Sequence, residues 1–292
     1  MFGRALALIS IVGALGAYNL KADDVYGNLN NGPGKTLVVD GHDLWVWGSI
    51  QNSGTVYLLD TLWAQHDLQN SGLIEVLGDK CSGSQSLKNG ATGVIKGYGL
   101  IVSEGGCIDN QGLVWSLGGS LLLYSVDDPK KVGISNTGTL KSNPGTSITV
   151  RVPVPNVSNQ GDIEINADGG VVFDCNLTNE PNAVIKLLGG TLAAKTVTQR
   201  VGATLDGFGG ITGNMVIDPN AIVRLTGPTN IVGDVKIARG ATLEISDGTA
   251  LVTGKVACDG TIHLKGGHLV PQGGLSGDYH IIKEPSTCVI ED

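Results

Sequence analysis

A unit of about 20 residues recurs along this chain, and it constrains the fold more than any other sequence feature. Each copy has a small residue at the end of a short turn, and an aliphatic residue two positions later opens a stretch with strand-type alternation. The small residues are Gly54, Gly72, Gly93, Gly112, Gly138, Gly161, Ala183, Ala203, Ala221, Ala241 and Gly260. They follow one another at steps of 18 to 26 residues. A period of this length predicts a solenoid in which each turn stacks on the one before it.

The residue types within the unit indicate which class of solenoid the chain forms. Val, Ile, Thr and Gly dominate, and no window shows a sustained helical period, so a leucine-rich repeat is disfavoured. A β-sandwich needs hairpin turns and would not explain a fixed aliphatic column. The sequence therefore predicts an all-β, single-stranded parallel β-helix with about 11–12 turns of about 20 residues. We expect it to be right-handed, as other parallel crossover connections are.

Asparagine recurs two positions before the small residue in the first half of the chain. These asparagines are Asn52, Asn70, Asn110, Asn136 and Asn159. Asparagine tolerates the left-handed backbone of a tight corner, and stacked asparagines can also hydrogen-bond to one another in a ladder. Both interpretations remain open at this stage. From Ala183 onward the same position holds Pro181, Val201, Pro219, Arg239 and Cys258, which predicts a different corner in the second half.

The N-terminus has the pattern of a secretory signal peptide. Arg4 precedes an uncharged, apolar stretch over residues 5–17, with small residues behind it. The predicted organisation is a signal peptide at 1–22, an N-terminal cap and first strands at 23–47, a parallel β-helix at 48–283, and a C-terminal tail or cap at 284–292. We therefore expect a secreted or cell-surface protein with no transmembrane span in the mature chain.

The charge and the cysteine content limit the kinds of partner and cofactor that are compatible with the sequence. The chain has 27 acidic and 19 basic residues, a net charge of -8, and no basic stripe, so nucleic acid is an unsuitable partner. Five cysteines are present. In an exported chain, Cys81 and Cys107 form the candidate disulfide, because both sit in Gly/Ser-rich turns one turn apart. No residue spacing is typical of a metal site, and no cofactor is predicted.

Two groups of residues are candidates for carbohydrate binding. Trp45 and Trp47 share one face of a strand, and together with Trp63 they form either a cap over the open end of the core or a sugar-stacking surface. Asp127 and Asp128 supply a carboxylate pair of the kind that β-helix lyases and hydrolases use, but adjacent residues of an extended segment point to opposite sides. No catalytic residue is assigned, and we expect a non-enzyme. An enzyme of this pattern would be a polysaccharide lyase or a glycoside hydrolase.

The stretch from Asp206 to Ile217 resembles the Leu-x-Gly-x-Gly-x-Ile-x-Gly-x-Val units of bacterial secreted parallel β-helix proteins. These include autotransporter passenger domains and haemagglutinin-type adhesins, and the resemblance covers about residues 48–283. It implies an exported, non-catalytic structural or adhesive protein of the cell surface or extracellular matrix. An uncovered end of a β-helix is an open sheet edge, so we also expect as partners further copies joined end to end into fibres, and surface polysaccharide. The alternative is a polysaccharide-binding or polysaccharide-cleaving β-helix protein.

Overall fold

The computed structural model describes residues 17–19, 24–40, 42–83, 85–125, 133–284 and 289–290. All regular secondary structure in these residues is β-strand. The strands are parallel and recur about every 20 residues, and they form a β-solenoid of about 12 turns. This confirms the predicted fold class. No described segment is a helix of the length and apolarity needed to cross a membrane.

The chain divides into two compact units. Unit 1 is Met1–Thr139 with Arg151–Val154, and unit 2 is Leu140–Val150 with Pro155–Asp292. The strands of unit 1 are β1 (Ala17–Asn19), β2 (Asp24–Val25), β3 (Leu29–Asn31), β4 (Thr36–Val39), β5 (Leu44–Val46), β6 (Ile50–Asn52), β7 (Thr55–Leu58), β8 (Leu62–Ala64), β9 (Asp67–Asn70), β10 (Leu73–Gly83), β11 (Ser86–Asn89), β12 (Val94–Ser103), β13 (Ile108–Asn110), β14 (Leu113–Ser125) and β15 (Ile134–Asn136).

Each turn of unit 1 contributes strands to three parallel stacks. Stack 1 contains β3, β6, β9, β11, β13 and β15. Stack 2 contains β1, β4, β7 and the first parts of β10, β12 and β14, whereas stack 3 contains β2, β5, β8 and the second parts of those three long strands. Strands β2 to β5 lie in the segment predicted as an N-terminal cap and first strands, and they pair in the stacks like the strands of later turns. Strand β1 lies within the predicted signal peptide and pairs with β4.

Period-two alternation explains why these residues form strands. In β7, Val56 and Leu58 are fully buried, whereas the residues between and before them are half-buried. Val56 is in register with Leu37 below it and Ile74 above it, so the inward side chains of successive turns stack into a continuous core. Complete burial of one such aliphatic side chain stabilises the fold by about 1.5–3 kcal/mol.

Glycine provides the bend between stack 2 and stack 3. Gly97 in β12 has a φ of 119°, and a Cβ atom there would overlap the carbonyl oxygen of Val76 in the preceding turn. Only glycine combines that backbone angle with so close an approach. Gly207 in unit 2 has a φ of 124° and stands in the same relation to the carbonyl oxygen of Leu187. Both units therefore use the same bend.

Unit 2 repeats the three-stack arrangement. Its strands are most of β16 (Thr139–Ser142) and β17 (Ser147–Arg151), and β18 (Asn156–Asn159), β19 (Asp162–Asn166), β20 (Gly170–Phe173), β21 (Asn176–Asn179), β22 (Val184–Gln199), β23 (Thr204–Ile217), β24 (Ile222–Val232), β25 (Val235–Ile237), β26 (Thr242–Ile245), β27 (Thr249–Val252), β28 (Val256–Cys258), β29 (Thr261–Leu264), β30 (His268–Pro271), β31 (Leu275–Ser276) and β32 (His280–Lys283). Beyond β30, Leu269 pairs in parallel with Ile290, so part of the C-terminal tail covers this strand edge.

Buried asparagines at the ends of the stack 1 strands form a hydrogen-bonded ladder in unit 1. The Nδ2 atom of each donates to the Oδ1 atom of the next at 2.7–2.8 Å, in the order Asn31, Asn52, Asn70, Asn89, Asn110 and Asn136. None of these residues is among the non-glycine residues with positive φ in the described chain. The ladder interpretation is therefore confirmed, and the left-handed-corner interpretation is wrong for these asparagines.

A second ladder, within unit 2, has a defined end. Asn159 donates to Asn179 at 2.8 Å, and Asn179 donates to Oε1 of Gln199 at 3.0 Å. The next residue in register is Ile217, and buried Nε2 of Gln199 has no hydrogen-bond partner within the described structure. Ile237 and Cys258 occupy the same position in the two following turns. The predicted change of corner is confirmed. Of the residues two places before the small residue, Cys258 fills the internal position, whereas Pro181, Val201, Pro219 and Arg239 lie in the corners.

Candidate functional site

Four aromatic rings form a cluster on the first turns of unit 1. Tyr26 and Trp47 are stacked with ring centroids 6.2 Å apart and an interplanar angle of 8°. Trp47 meets Trp63 edge to face at 5.8 Å, and Trp63 meets Trp45 at 5.1 Å with a tilt of 46°. Such geometries are the favourable ones for aromatic pairs. We call these four residues the aromatic cluster.

The strand pattern places the cluster on the outer surface. Leu44 and Val46 of β5 point into the core, so Trp45 between them points outward, and it is in direct register with Trp63 of β8. Trp45 is 38% exposed and Trp47 is 42% exposed. The three tryptophans therefore come together as the sequence predicts, but they lie on the outer face and do not cover the core as a cap.

A carboxylate orients the most exposed ring. Nε1 of Trp47 donates to Oδ1 of Asp24 at 3.1 Å, and Asp24 is in register with Trp45 one turn later. The result is a set of aromatic faces beside a hydrogen-bond acceptor. Aromatic faces of this kind can stack on the C–H face of a sugar ring, and the carboxylate can accept from its hydroxyl groups.

Sequence reasoning missed Tyr26 and Asp24 as members of this site. Both lie at the start of the segment predicted as an N-terminal cap and first strands, where β2 is only two residues long. The usable signal was the turn spacing, because Tyr26 precedes Trp47 by one repeat. The other predicted ligand-binding residues, Asp127 and Asp128, lie outside the described residues.

The two cysteines of the predicted disulfide are both free thiols in the structure. Cys81 lies in β10 and is in register with Ile101 in the following turn, whereas Cys107 directly precedes β13, and its carbonyl oxygen accepts from the backbone N–H of Leu87. They occupy different stacks, so the one-turn separation in sequence does not bring them into register. Burial raises the pKa of the Cys81 thiol to about 12.

Carboxylates on the outer face of stack 2 are held in ion pairs with cations of neighbouring turns. Glu75 pairs with Lys96 at 3.0 Å in unit 1. In unit 2, Glu164 pairs with Lys141 at 2.7 Å, and Lys265 lies 3.2 Å from Glu244. Within the described ranges, no group of three or more His, Cys, Asp or Glu residues could hold a metal ion.

The fold and the aromatic cluster define a parallel β-solenoid with an exposed aromatic surface on its first turns. Comparison of the chain with profiles of known protein families, with curated proteins and with solved structures gives no match.

Proposed function

We propose that this chain is an exported, non-catalytic adhesive β-helix of a cell surface or extracellular matrix, and that it attaches to polysaccharide through the aromatic cluster. The kind of protein proposed is the one that the Asp206–Ile217 stretch resembles, the autotransporter passenger and haemagglutinin-type adhesins. The exposure of Trp45 and Trp47 within one contiguous four-ring surface is the observation that carries the binding proposal.

The energetic argument rests on contiguity. Single exposed aromatic side chains are common on soluble proteins, whereas a contiguous apolar patch rimmed by polar groups marks an interaction surface. The cluster is held in place before any ligand binds, because each ring contacts another ring and Asp24 fixes Trp47. A preorganised site loses little conformational entropy on binding, which favours affinity.

The non-catalytic part of the proposal draws on the charged residues. Acid–base cleavage of a glycosidic bond needs two carboxyl groups placed on either side of that bond. Glu75 and Glu244 instead lie against lysine ammonium groups at 3.0 and 3.2 Å, as structural ion pairs do. The sequence pattern of residues 1–22 supports export, which N-terminal sequencing of protein recovered from the culture medium would test.

End-to-end assembly is a second proposal, supported by the last turn of unit 2. Strand β32 pairs with β29 and β31 pairs with β28, and no described strand lies on their other sides. Unpaired strand edges present backbone donors and acceptors to another chain. Sedimentation velocity over a hundredfold range of concentration tests this: growing species support assembly, and a constant monomer contradicts it.

A glycan-binding panel with matched variants tests the adhesive function. We expect Trp47→Ala and Trp63→Ala each to weaken binding at least about tenfold, because each removes a stacking face worth about 1.4 kcal/mol. Tyr279→Ala is the matched control, since Tyr279 is 42% exposed and lies in unit 2. Release of reducing ends is measured in the same panel.

Two outcomes contradict the proposal. If no glycan binds the wild-type chain, or if both tryptophan variants bind as the wild type does, the aromatic cluster is not a carbohydrate site. If reducing ends are released, the non-catalytic assignment is wrong and the polysaccharide-cleaving alternative replaces it.

A further inference from the structure

A polar groove lies where stack 1 of unit 1 passes into stack 2. It has a volume of about 490 Å³, and its lining includes Asn30, Gln51, Ser53, Gln69, Ser71 and Lys88. We call it the amide groove. Its volume lies within the range of about 300–1,000 Å³ that small-ligand sites occupy.

Unequal corner lengths create the groove. Two short corners, Ser53-Gly54 and Ser71-Gly72, link β6 to β7 and β9 to β10. The corners before and after them are two residues longer: residues 32–35 link β3 to β4, and residues 90–93 link β11 to β12. Gly32 and Pro33 of the first longer corner and Gly90 of the second line the groove and form its two walls. They are three turns apart, about 14 Å at the usual strand spacing.

The floor of the groove carries a row of polar side chains. Asn30, Gln51, Gln69 and Lys88 are in register from turn to turn and all are exposed. Each amide side chain can donate and accept hydrogen bonds. The hydroxyl groups of Ser53 and Ser71 donate to backbone carbonyls of the preceding turn, which leaves their oxygen lone pairs available as acceptors.

The amide groove and the aromatic cluster lie along the same passes of the chain. Tyr26 precedes Asn30 by four residues, and Trp47 precedes Gln51 by four residues. Trp63 of β8 likewise leads into Gln69 of β9. The corner between stack 3 and stack 1 lies between them, at residues 26–28 and 47–49. A linear chain that follows the surface around this corner would therefore contact the aromatic faces first and the amide row next.

We propose that the amide groove extends the aromatic cluster into one binding track for an acidic linear polysaccharide. This inference rests on the proposed glycan-binding function and specifies the ligand class. Amides and hydroxyls match the hydroxyl groups of sugar rings, and Lys88 supplies the cation for a carboxylate or sulfate group. Lys88 has no ion-pair partner among the residues that the structure describes, and it is the single cationic side chain lining the groove.

Charge also sets the direction in which the acidic sugar lies. Asp24 stands beside Trp47 at the aromatic end of the track, and it would repel an anionic group there. Lys88 stands at the far wall of the groove. Because the chain carries a net charge of -8, attraction of an acidic polymer depends on this local lysine and not on the overall field.

Matched oligosaccharide pairs test the ligand class. The probes are tetrasaccharides that differ only at C6, carrying a carboxylate or a hydroxymethyl group: β-1,4-mannuronate against β-1,4-mannose, and β-1,4-glucuronate against β-1,4-glucose. Calorimetry on the full chain is expected to show tighter binding of the acidic member in at least one pair. Raising the salt concentration should reduce that preference, since the Lys88 contact is exposed.

Variants assign the preference to the groove. Lys88→Gln is expected to remove the acidic preference by weakening acidic binding about tenfold while leaving neutral binding unchanged. Gln69→Ala should weaken both members about three- to tenfold through lost hydrogen bonds. Lys186→Gln is the control, because Lys186 is an exposed lysine of unit 2. Thermal unfolding of each variant should match the wild type.

The outcomes separate this inference from the function it extends. If Trp47→Ala abolishes binding but Lys88→Gln and Gln69→Ala have no effect, the aromatic cluster binds glycan and the groove inference is wrong. Equal binding of the acidic and neutral members in both pairs overturns the ligand class. Binding of none of the four probes overturns the groove inference, and failure of the wider glycan panel as well overturns the adhesive function itself.

Discussion

Most corners between stack 1 and stack 2 are two residues long in unit 1, whereas most are four residues long in the later turns of unit 2. In unit 1, Asn52 sits in the ladder and donates to Asn70, and the corner that follows it is only Ser53-Gly54. In unit 2, the corner over residues 218–221 closes on itself, because the N–H of Ala221 donates to the carbonyl oxygen of Asp218 at 2.9 Å.

The self-closing corners of unit 2 share a backbone requirement. Each is a four-residue turn whose third residue has a positive φ, and these third residues are Asn182, Gly202, Asn220 and Gly240. The second position is proline in two of them, Pro181 and Pro219. Proline followed by a residue with positive φ is typical of a type II turn.

The position at the end of each stack 1 strand can thus be stabilised in two ways: by side-chain hydrogen bonds between turns, or by apolar packing together with a hydrogen bond inside the corner. Each ladder amide in unit 1 bonds to the turn before and the turn after, so its loss leaves polar atoms unpaired in both neighbours. In unit 2 the equivalent Ile237 only packs, and its corner is closed by local hydrogen bonds. Substitution of a ladder amide should therefore affect the neighbouring turns, whereas substitution of Ile237 should have a more local effect.

The largest effect is expected from breaking the ladder with Asn70→Leu. This change removes the acceptor of Asn52, the donor to Asn89 and the donor to the carbonyl oxygen of Val94. Unsatisfied buried groups cost about 1–3 kcal/mol each, so the free energy of unfolding should fall by about 4 kcal/mol. Urea denaturation measures it.

The matched change in unit 2 is Ile237→Val, which should cost only about 1 kcal/mol. Equal losses for the two variants would show that the ladder contributes no more than ordinary packing.

The next effect should be the same in both units, because both use the same glycine bend. Gly97→Ala and Gly207→Ala are each expected to lower the free energy of unfolding by about 3 kcal/mol, through backbone strain and overlap with a carbonyl oxygen. Gly34→Ala and Gly145→Ala are the controls, since those glycines have positive φ but open space around them. Controls as damaging as the bend variants would contradict the overlap argument.

A smaller effect is expected at Ile217, which is in register with Gln199, the last amide of the ladder in unit 2. Ile217→Asn places an amide next to the unpaired Nε2 atom of Gln199, whereas Ile237→Asn places one away from any ladder amide. The two neighbours of residue 237 are Ile217 and Cys258, which are poor acceptors and donors for an amide. Both variants should be destabilised, but Ile217→Asn by about 1 kcal/mol less, the value of one net hydrogen bond. Thermal unfolding of the pair checks this, and the reverse order would mean that Gln199 cannot reach the new acceptor.

The smallest effect near neutral pH concerns Cys81 of unit 1. Burial raises its pKa from 9.0 to about 12, so the folded chain keeps this proton while the unfolded chain loses it above pH 9. The stabilisation is fully present below pH 9 and is lost as pH rises from 9 toward 12. Urea midpoints across this range should fall less steeply in Cys81→Ala. At pH 8, mass spectrometry should show Cys107 alkylated before Cys81, and simultaneous labelling would contradict the burial of Cys81.

The sequence predicted the fold from its period and alternation, and it located five of the ladder asparagines. It missed Asn89 and Asn179, because the corners that follow them are two residues longer. The position two residues before Gly93 or Ala183 therefore falls within the corner and not on the asparagine. It missed Asn31 because the first turn has an atypical corner, Gly-Pro-Gly-Lys. Corner length is a local property, but its effect on register shows only when the turns are stacked.

For the site, the three tryptophans were found because large aromatic residues are rare in this chain. The sequence did not identify their partners Tyr26 and Asp24, nor the amide row. In the sequence alone, Asn and Gln on an exposed strand face look like ordinary solvated residues.

By itself, the sequence determined that strands recur every 20 residues with one face apolar, because a period-two pattern and small turn residues are encoded locally. Only the tertiary structure decided which side chains become neighbours across turns: the ladder that ends at Gln199, the aromatic cluster and the walls of the amide groove. The physical reason is that these contacts join residues one turn apart, and their register depends on the length of every corner between them.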